Sequence, residues 1–470
     1  MSAPLFDKVL VANRGEIARR VMRTCKRLGI RTVAVYSEAD REAPHVSDAD
    51  EAVLVGPPPP KDSYLSIDAI VAALAKTGAR AVHPGYGFLS EKPAFARAVA
   101  DAGAVFVGPP PEVLDAFGDK MKARSVARSA GTDPVPGSED PLAIDTPEGI
   151  EAARAVARAV GYPILVKAVG GGGGIGMQVV ASEDALERAL RSCSDRGKAA
   201  FADERVYLER YVDQPRHIEV QVFCDAAGGA YALGERECSV QRRHQKIVEE
   251  TPSPAAFFAG AAGEARRQAL FDAALRVVRH AGYVGAGTCE FIADARGNLF
   301  FLEVNARLQV EHPITELVTG LDLVELQLRV AAGERLPDLS QVRPRGHAIE
   351  TRVYAEDPSK GFLPRPGPID DLVWGGGAGE AQTAALRIES GVRAGNKMTP
   401  FYDPMVAKVA AWGATRDDAI ATLDAALAGT TIAPCITNLA FLRRVLASPA
   451  FRAGTYDTRF AEALAKGSIP

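Results

Sequence analysis

The segment Leu302-Glu303-Val304-Asn305-Ala306-Arg307-Leu308-Gln309-Val310-Glu311-His312 alternates apolar and polar side chains without a slip. In extended backbone Glu303, Asn305, Arg307, Gln309 and Glu311 share one side, and Val304, Ala306, Leu308 and Val310 the other. The polar side then carries carboxylate, amide, guanidinium, amide and carboxylate in turn. A strand that only meets water needs generic polarity. This one combines metal-ligand, anion-binding and proton-accepting groups, and it is read as the floor of an active site.

The residues just before it form a second strand, Gly287-Thr-Cys-Glu-Phe-Ile, joined to Leu299-Phe-Phe-Leu-Glu-Val through Asp294-Ala-Arg-Gly-Asn298. With Arg296-Gly297 as a tight turn, the register sets Glu290 opposite Glu303. Like charges facing across a ladder destabilise it. A Mg2+ held by the two carboxylates and by nucleotide phosphates would relieve them. The bland alternative, a solvated hairpin with scattered acids, does not account for the continuing polar ridge.

Two further segments carry candidate ligand groups. Tyr162-Pro-Ile-Leu-Val-Lys-Ala168 leads into Val169 and the run Gly170 to Gly174, with Ile175 and Gly176 before Met177-Gln-Val-Val, so the glycines sit at a hairpin tip. The run is neither a Walker loop nor a dinucleotide turn. Bare N–H groups there can close over phosphates, and Lys167 just before the tip favours an ATP lid. Val206 to Val212 offers a backbone edge for adenine at Glu209 to Val212. The charge-dense stretch Glu235 to Glu250 brings Gln241, His244 and Lys246 close enough to converge on one anion, although charge runs are usually solvated faces.

These groups need a scaffold. The first third alternates strand and helix: Lys8 to Ala12, a helix from about Gly15 to Leu28, then Thr32 to Tyr36, Glu51 to Val55, Ala81 to His83 and Val105 to Gly108. That pattern predicts a doubly wound parallel sheet. Its first turn, Ala12-Asn-Arg-Gly-Glu-Ile-Ala18, is not GxGxxG. The loop His83-Pro-Gly-Tyr-Gly-Phe-Leu-Ser-Glu91 lies at a strand's carboxyl end, where its glycines suit either a ligand or a plain turn. From about Ala332 the pattern predicts a smaller mixed lobe, with strands at His347 to Tyr354 and near Lys408 and helices at about 416–427 and 437–446.

At 470 residues the chain is long enough for two to four domains. A net charge of -4 gives no general electrostatic case for binding nucleic acid. No apolar run approaches a membrane span and the start lacks a signal pattern, so a cytoplasmic protein is expected. The six cysteines, Cys25, Cys193, Cys224, Cys238, Cys289 and Cys435, show no ligand-like spacing and are read as reduced packing residues.

Together, Val11-Ala-Asn-Arg-Gly-Glu-Ile-Ala18, the His83 to Glu91 loop, Gly118-Asp-Lys120, the glycine lid, Gln241-Arg-Arg-His-Gln-Lys246 and Asn305-Ala-Arg-Leu-Gln-Val-Glu-His312 strongly resemble biotin carboxylase. The resemblance runs from about Lys8 to about Phe460. It implies an α/β protein of ATP-grasp fold: an N-terminal doubly wound domain over 1–118, a lid with the Gly-rich loop over 119–210, a catalytic core over 211–333, and a mixed α+β C-terminal domain over 334–470. It also implies that ATP and bicarbonate form carboxyphosphate and that the carboxyl group passes to N1′ of biotin.

Carried onto this sequence, the resemblance gives the phosphates to Lys120 and Lys167, with Gly173 and Gly174 closing over them. Glu209, Arg210, Tyr211 and Val212 would frame the adenine, and His217, Gln241 and His244 the ribose side. Glu290, Glu303 and Asn305 would hold Mg2+ or Mn2+, the two glutamates also serving the bound ATP. Lys246, Arg307, Gln309 and the Val310 N–H would cradle bicarbonate, Glu311 would be the base, and Arg352 would stabilise the biotin enolate.

Three positions depart from the family pattern: Ile175 where a cation is common, Arg210 for the hinge Lys, and Ala306 where Thr, Ser or Pro is frequent. The sequence lacks the Met-Lys-Met of a biotin acceptor. A free-standing subunit is therefore expected, and the resemblance implies a homodimer served by a biotin carboxyl carrier protein and a carboxyltransferase subunit, without nucleic acid or membrane. The expected setting is an acetyl-CoA carboxylase type system in fatty acid metabolism, with propionyl-CoA, other acyl-CoA, pyruvate and urea open as acceptors. Other ATP-grasp ligation and a silent assembly subunit are the alternatives.

Overall fold

The computed structural model describes residues 5–170, 176–376 and 383–469. Strands β1 (Lys8–Val11), β2 (Arg31–Ser37), β3 (Glu51–Gly56), β4 (Ala81–His83) and β5 (Val105–Phe106) form a parallel sheet in the order β3-β2-β1-β4-β5. Val9, Leu10 and Val11 are buried, as a strand covered on both faces requires. Helix α1 (Gly15–Arg27) packs Ile17, Ala18, Val21, Met22 and Cys25 against this sheet.

Strand order reverses between β1 and β4, where open α/β sheets place ligands. The two loops there are tied together: the Asn13 amide donates to the carbonyls of Pro84 (2.7 Å) and Tyr86 (2.8 Å). Gly85 makes that approach possible. Its φ is +63°, and a Cβ there would lie 3.0 Å from Asn13 Nδ2 and 3.1 Å from Ile17.

A three-stranded antiparallel sheet follows, β6 (Ile164–Ala168), β7 (Met177–Val180) and β8 (Val206–Arg210), in the order β7-β6-β8. Helices Pro147–Val160 and Leu186–Phe201 cover one face, burying Ile150, Ile164, Val166, Leu190 and Leu208. The two strands expected on either side of the glycines therefore pair, with Lys167 opposite Met177. Gly173, Gly174 and Ile175 lie outside the described residues.

The largest sheet is antiparallel. It runs β13 (Leu299–Asn305), β12 (Gly285–Ala293), β9 (Arg216–Cys224), β10 (Ala230–Arg242), β11 (Gln245–Thr251), β14 (His347–Tyr354), then strands Met405–Gly413 and Leu386–Ser390. The C-terminal strands thus extend the same sheet. Ile218, Val220, Val222 and Phe291 face helix Gly260–His280, while the alternate residues Glu219, Gln221 and Glu290 point to the other side.

Glu290 does stand opposite Glu303, but the turn differs from expectation. The Asp294 N–H donates to the Asn298 carbonyl (3.0 Å) and the Gly297 N–H to that of Asp294 (2.9 Å), with Gly297 at φ +78°. This three-residue loop sets Ala293 opposite Leu299, one place out of the expected register. An irregularity between Glu290 and Phe291 then absorbs Leu302 and restores the glutamate pair. Two offsets cancel.

The polar ridge is also not one strand. β13 ends at Asn305, because the Ala306 N–H donates to Glu91 Oε1 (3.0 Å) instead of to β12. The chain then loops, and Glu311 immediately precedes helix His312–Thr319.

Candidate active site

A cleft of about 600 Å³ separates the lid sheet from the polar side of the large sheet. Lys120, Lys167, Glu209, Arg210, Tyr211, Val212, His217, Gln241, His244, Lys246, Glu290, Glu303, Asn305, Arg307, Gln309, Val310 and Arg352 all line it. Glu311 is fully buried just behind.

At the lid end, Lys120 opens helix Lys120–Ser129, whose first amides are capped by Asp119. Its ammonium bonds Glu303 Oε2 at 2.7 Å, and Lys167 bonds Glu209 Oε2 at 2.8 Å. Glu209 also takes Arg124 at 2.5 Å. Burial alone would raise the Glu209 pKa, but Lys167 and Arg124 pull it below the ordinary carboxylate value. The Glu209 carboxylate is thus occupied in holding Lys167, which agrees with the expectation that any adenine contact of Glu209 to Val212 is made by the backbone. The Arg210 and Tyr211 amides donate to the carbonyls of Pro136 (2.7 Å) and Pro163 (3.1 Å). The Arg210 guanidinium lies 4.8 Å from the Phe300 ring centroid.

The paired glutamates are neutralised by side chains as well. Glu303 has Lys120, while Glu290 has Lys246 (2.8 Å) and His217 (3.0 Å) and accepts the Asn305 amide at 2.9 Å. The facing carboxylates therefore do not by themselves require a metal. The donor set still fits one: two carboxylates and an amide oxygen are hard oxygen donors suited to Mg2+ or Mn2+. Two other ligand-type groups, His217/Glu219/Glu290 and Glu219/Cys238/Glu311, share the Lys246 ammonium as a bonding partner of their glutamates, so a side chain already supplies the positive charge there.

Lys246 is the hub, reaching Glu219 (2.5 Å), Glu290 (2.8 Å) and Glu311 (2.8 Å). It is therefore surrounded by acids in this arrangement and does not stand free for an anion. Burial opposes its charge, yet the three carboxylates drive its pKa well above the ordinary lysine value. Arg307 bonds Glu91 (2.9 Å), Gln309 Oε1 (2.9 Å) and Asn305 Oδ1 (3.2 Å). Arg352 bridges Glu249 (2.6 Å) and Glu311 (3.1 Å), so it is a paired cation beside the expected base. Glu311 is held well below the usual carboxylate range: burial would raise it, but Lys246, Arg352 and Arg236 outweigh burial.

Five residues of this network escaped the sequence reading: Glu91, Arg124, Glu219, Arg236 and Glu249. Glu91 closes the His83 loop onto Arg307, which answers what that loop does. Glu219 anchors Lys246 on one oxygen and Arg236 (2.5 Å) on the other. The signal was there, since Ile218-Glu219-Val220-Gln221-Val222 repeats the alternation of the Glu303 ridge. Of the other placements, Gln241 bonds His217 Nδ1 (3.3 Å), while His244 sits exposed at the tip of the β10–β11 hairpin with φ +61°.

A small antiparallel lid sheet facing a larger sheet across a cleft of lysines and paired glutamates defines an ATP-grasp enzyme. Three family models match: biotin carboxylase N-terminal domain over 5–114, the ATP-binding domain of carbamoyl-phosphate synthase L chain over 119–339, and biotin carboxylase C-terminal domain over 350–463. The chain belongs to the biotin carboxylase family and is an ATP-grasp ligase.

It is 47% identical to a biotin carboxylase of Halalkalibacterium halodurans, covering 97% of each chain. It is 46% identical to a propionyl-CoA carboxylase alpha chain of Ruegeria pomeroyi, covering 97% of this chain and 68% of the relative. A Campylobacter jejuni biotin carboxylase complex superposes with TM-score 0.91 at 40% identity, over 97% of this chain and 98% of that one. The biotin carboxylase domain dimer of Hydrogenobacter thermophilus 2-oxoglutarate carboxylase, in complex with MgADP, ADP and bicarbonate, gives 0.90 at 41%, covering 98% of both. Among the described residues no helix is long and apolar enough to cross a membrane.

Proposed function

We propose that this chain performs the first half-reaction of an acyl-CoA type carboxylase: ATP and bicarbonate give carboxyphosphate, and the carboxyl group passes to N1′ of a biotin borne by a separate carrier protein. The observation that carries this reading is the convergence of Lys246, Arg307, Gln309 and Val310 on a cleft wall backed by Glu311, opposite two lid lysines. A planar guanidinium and fixed donors suit a small planar anion. Glu290, Glu303 and Asn305 would hold the metal, which when bound spreads charge over the transferring phosphoryl group.

Bicarbonate loses its proton to Glu311 and attacks the γ-phosphorus, and ADP leaves. In the ligand-free arrangement Glu311 is ionised but weakly basic, because Lys246 and Arg352 both hold it. Bicarbonate bonding Lys246 and biotin bonding Arg352 draw those cations away and raise its basicity toward the working range. Arg352 is then next to the ureido oxygen and stabilises the enolate. Lys120 and Lys167 exchange Glu303 and Glu209 for phosphate oxygens, with Gly173 and Gly174 as the closing lid, and residues 209–212 face adenine with His217, Gln241 and His244 toward the ribose.

The four segments 1–118, 119–210, 211–333 and 334–470 act as sheet base, lid, core and biotin side. A homodimer, a carrier protein and a carboxyltransferase subunit complete the system. Acetyl-CoA in fatty acid metabolism is one acceptor, and relatives named for propionyl-CoA, methylcrotonoyl-CoA and pyruvate match comparably, at 46%, 45% and 44% identity, so the partner decides.

The test is Mg-ATP hydrolysis by the purified chain with and without free biotin, in bicarbonate-depleted buffer and after restoring bicarbonate. A rate that needs bicarbonate and rises with biotin is expected. Turnover indifferent to both would redirect the reading to another ATP-grasp acceptor, and no turnover with either a free biotin or a biotinylated carrier would point to a silent subunit.

A further inference from the structure

Lys408 is fully buried in the middle of strand Met405–Gly413, where a charge on a sheet is costly unless it has a purpose. Its register partner on β14 is Arg352, so both cations stand side by side on one face. They grip consecutive residues: Arg352 bonds the Glu311 carboxylate at 3.1 Å, and the Lys408 ammonium donates to the Val310 carbonyl at 2.7 Å. Glu16 of α1 lies 3.3 Å from the same ammonium. The shorter contact is thus to the neutral carbonyl, not to the acid. An ion pair kept only to join the N-terminal domain to the sheet would favour the carboxylate.

We propose that Lys408 is a positioning residue for bicarbonate, fixing the Gln309–Glu311 backbone through the Val310 carbonyl so that the Val310 N–H and the Glu311 carboxylate present a preformed cradle. The proposal rests on the bicarbonate assignment made above. Lys408 touches no reactant; it acts through the peptide it holds. The surroundings keep it in place: Glu16 faces it at 3.3 Å, and Glu350, whose oxygens accept no hydrogen bond among the described residues, shares the face of Arg352 and Lys408. Burial pushes Glu16 up to about 7 against the pull of Lys408, so even this acid is a weak competitor for the ammonium.

The experiment compares Lys408→Met, Lys408→Arg and Arg307→Ala with the unmodified full chain, reading ATP hydrolysis against bicarbonate and against ATP with free biotin present. Losing one buried charge-assisted hydrogen bond is expected to raise the bicarbonate KM of Lys408→Met about tenfold. The ATP KM should stay within about twofold, since the lid residues are untouched. Lys408→Arg keeps the charge and a donor and should lie between the two. A folded Lys408→Met with unchanged bicarbonate KM, or with bicarbonate and ATP KM rising together, overturns the proposal. If the Met variant does not fold, an unchanged bicarbonate KM in Lys408→Arg overturns it equally. Arg307→Ala separates the two levels: if it loses bicarbonate saturation while the Lys408 variants do not, the cradle stands and the positioning role falls, whereas an unaffected Arg307→Ala removes the cradle itself.

Discussion

Glu249 and Glu250 are neighbours on β11 and face opposite sides of the same sheet, both fully buried. Glu250 is saturated, with His347 at 2.6 Å, Arg416 at 2.6 Å and 2.9 Å, and the Tyr456 hydroxyl. Burial would raise its pKa, but His347 and Arg416 bring it down to about 2. Glu249 has Arg352, which it shares with Glu311, and its Oε2 accepts no hydrogen bond among the described residues. Burial therefore prevails there and pushes it up to about 7. The outer cluster is closed and serves stability. In the cleft cluster each cation is shared, Arg352 between Glu249 and Glu311 and Lys246 among Glu219, Glu290 and Glu311, so a ligand can replace one partner without stranding the charge.

The largest test of this contrast is Glu311→Gln. Bicarbonate-dependent ATP hydrolysis is expected to fall by about 10²–10⁴-fold, the range for a lost general base, while the denaturation midpoint falls less than in Glu250→Gln, because Lys246 and Arg352 each keep another carboxylate. A stability loss matching the activity loss would show that the cleft cluster is structural after all. The converse variant, Glu250→Gln, strands Arg416 and His347 and should cost about 3–5 kcal/mol in urea titration while leaving the bicarbonate KM unaltered. Unchanged stability would remove the distinction from the other side.

A pH series sharpens the comparison further. Glu250 has a folded pKa below its ordinary 4.5, so its stabilisation is complete above pH 4.5 and is lost as pH falls toward 2. Glu249 has a folded pKa raised to about 7, so the native state binds the extra proton, and the associated stability is present below 4.5 and lost as pH rises through 7. Glu250→Gln should flatten the acid limb of midpoint against pH, and Glu249→Gln the neutral limb. Both variants changing the same limb would contradict the assignment. The smallest effect is expected outside both clusters. Arg210→Lys keeps a cation over Phe300, and a cation–π term of about 0.5–1 kcal/mol limits the change in ATP KM to less than about fivefold.

Much of the cleft was legible because strands reveal themselves at period two. Glu290, Glu303, Asn305 and Arg307 came from alternation, and the parallel sheet from alternating strand and helix. The Glu290–Glu303 pairing was right for an incomplete reason, since a longer loop and a compensating irregularity both escape a simple hairpin count. The extension of the ridge to Glu311 as one strand does not hold, because Glu91 of a distant loop ends the strand at Asn305 and Glu311 is buried behind the cleft wall. Lys246 looked like a free cation in a charged run, and only packing shows the three carboxylates around it.

By itself the sequence determined which residue types face one another along each strand and, through its motifs, the family. Side-chain alternation and turn chemistry are local properties, and they are written residue by residue. The tertiary structure alone decided which cation meets which acid: Glu91 with Arg307, Glu219 with Lys246, Glu249 with Arg352. Those partners are 216, 27 and 103 residues apart. Ionic energies depend on separation and burial, and no spacing along the chain records either one.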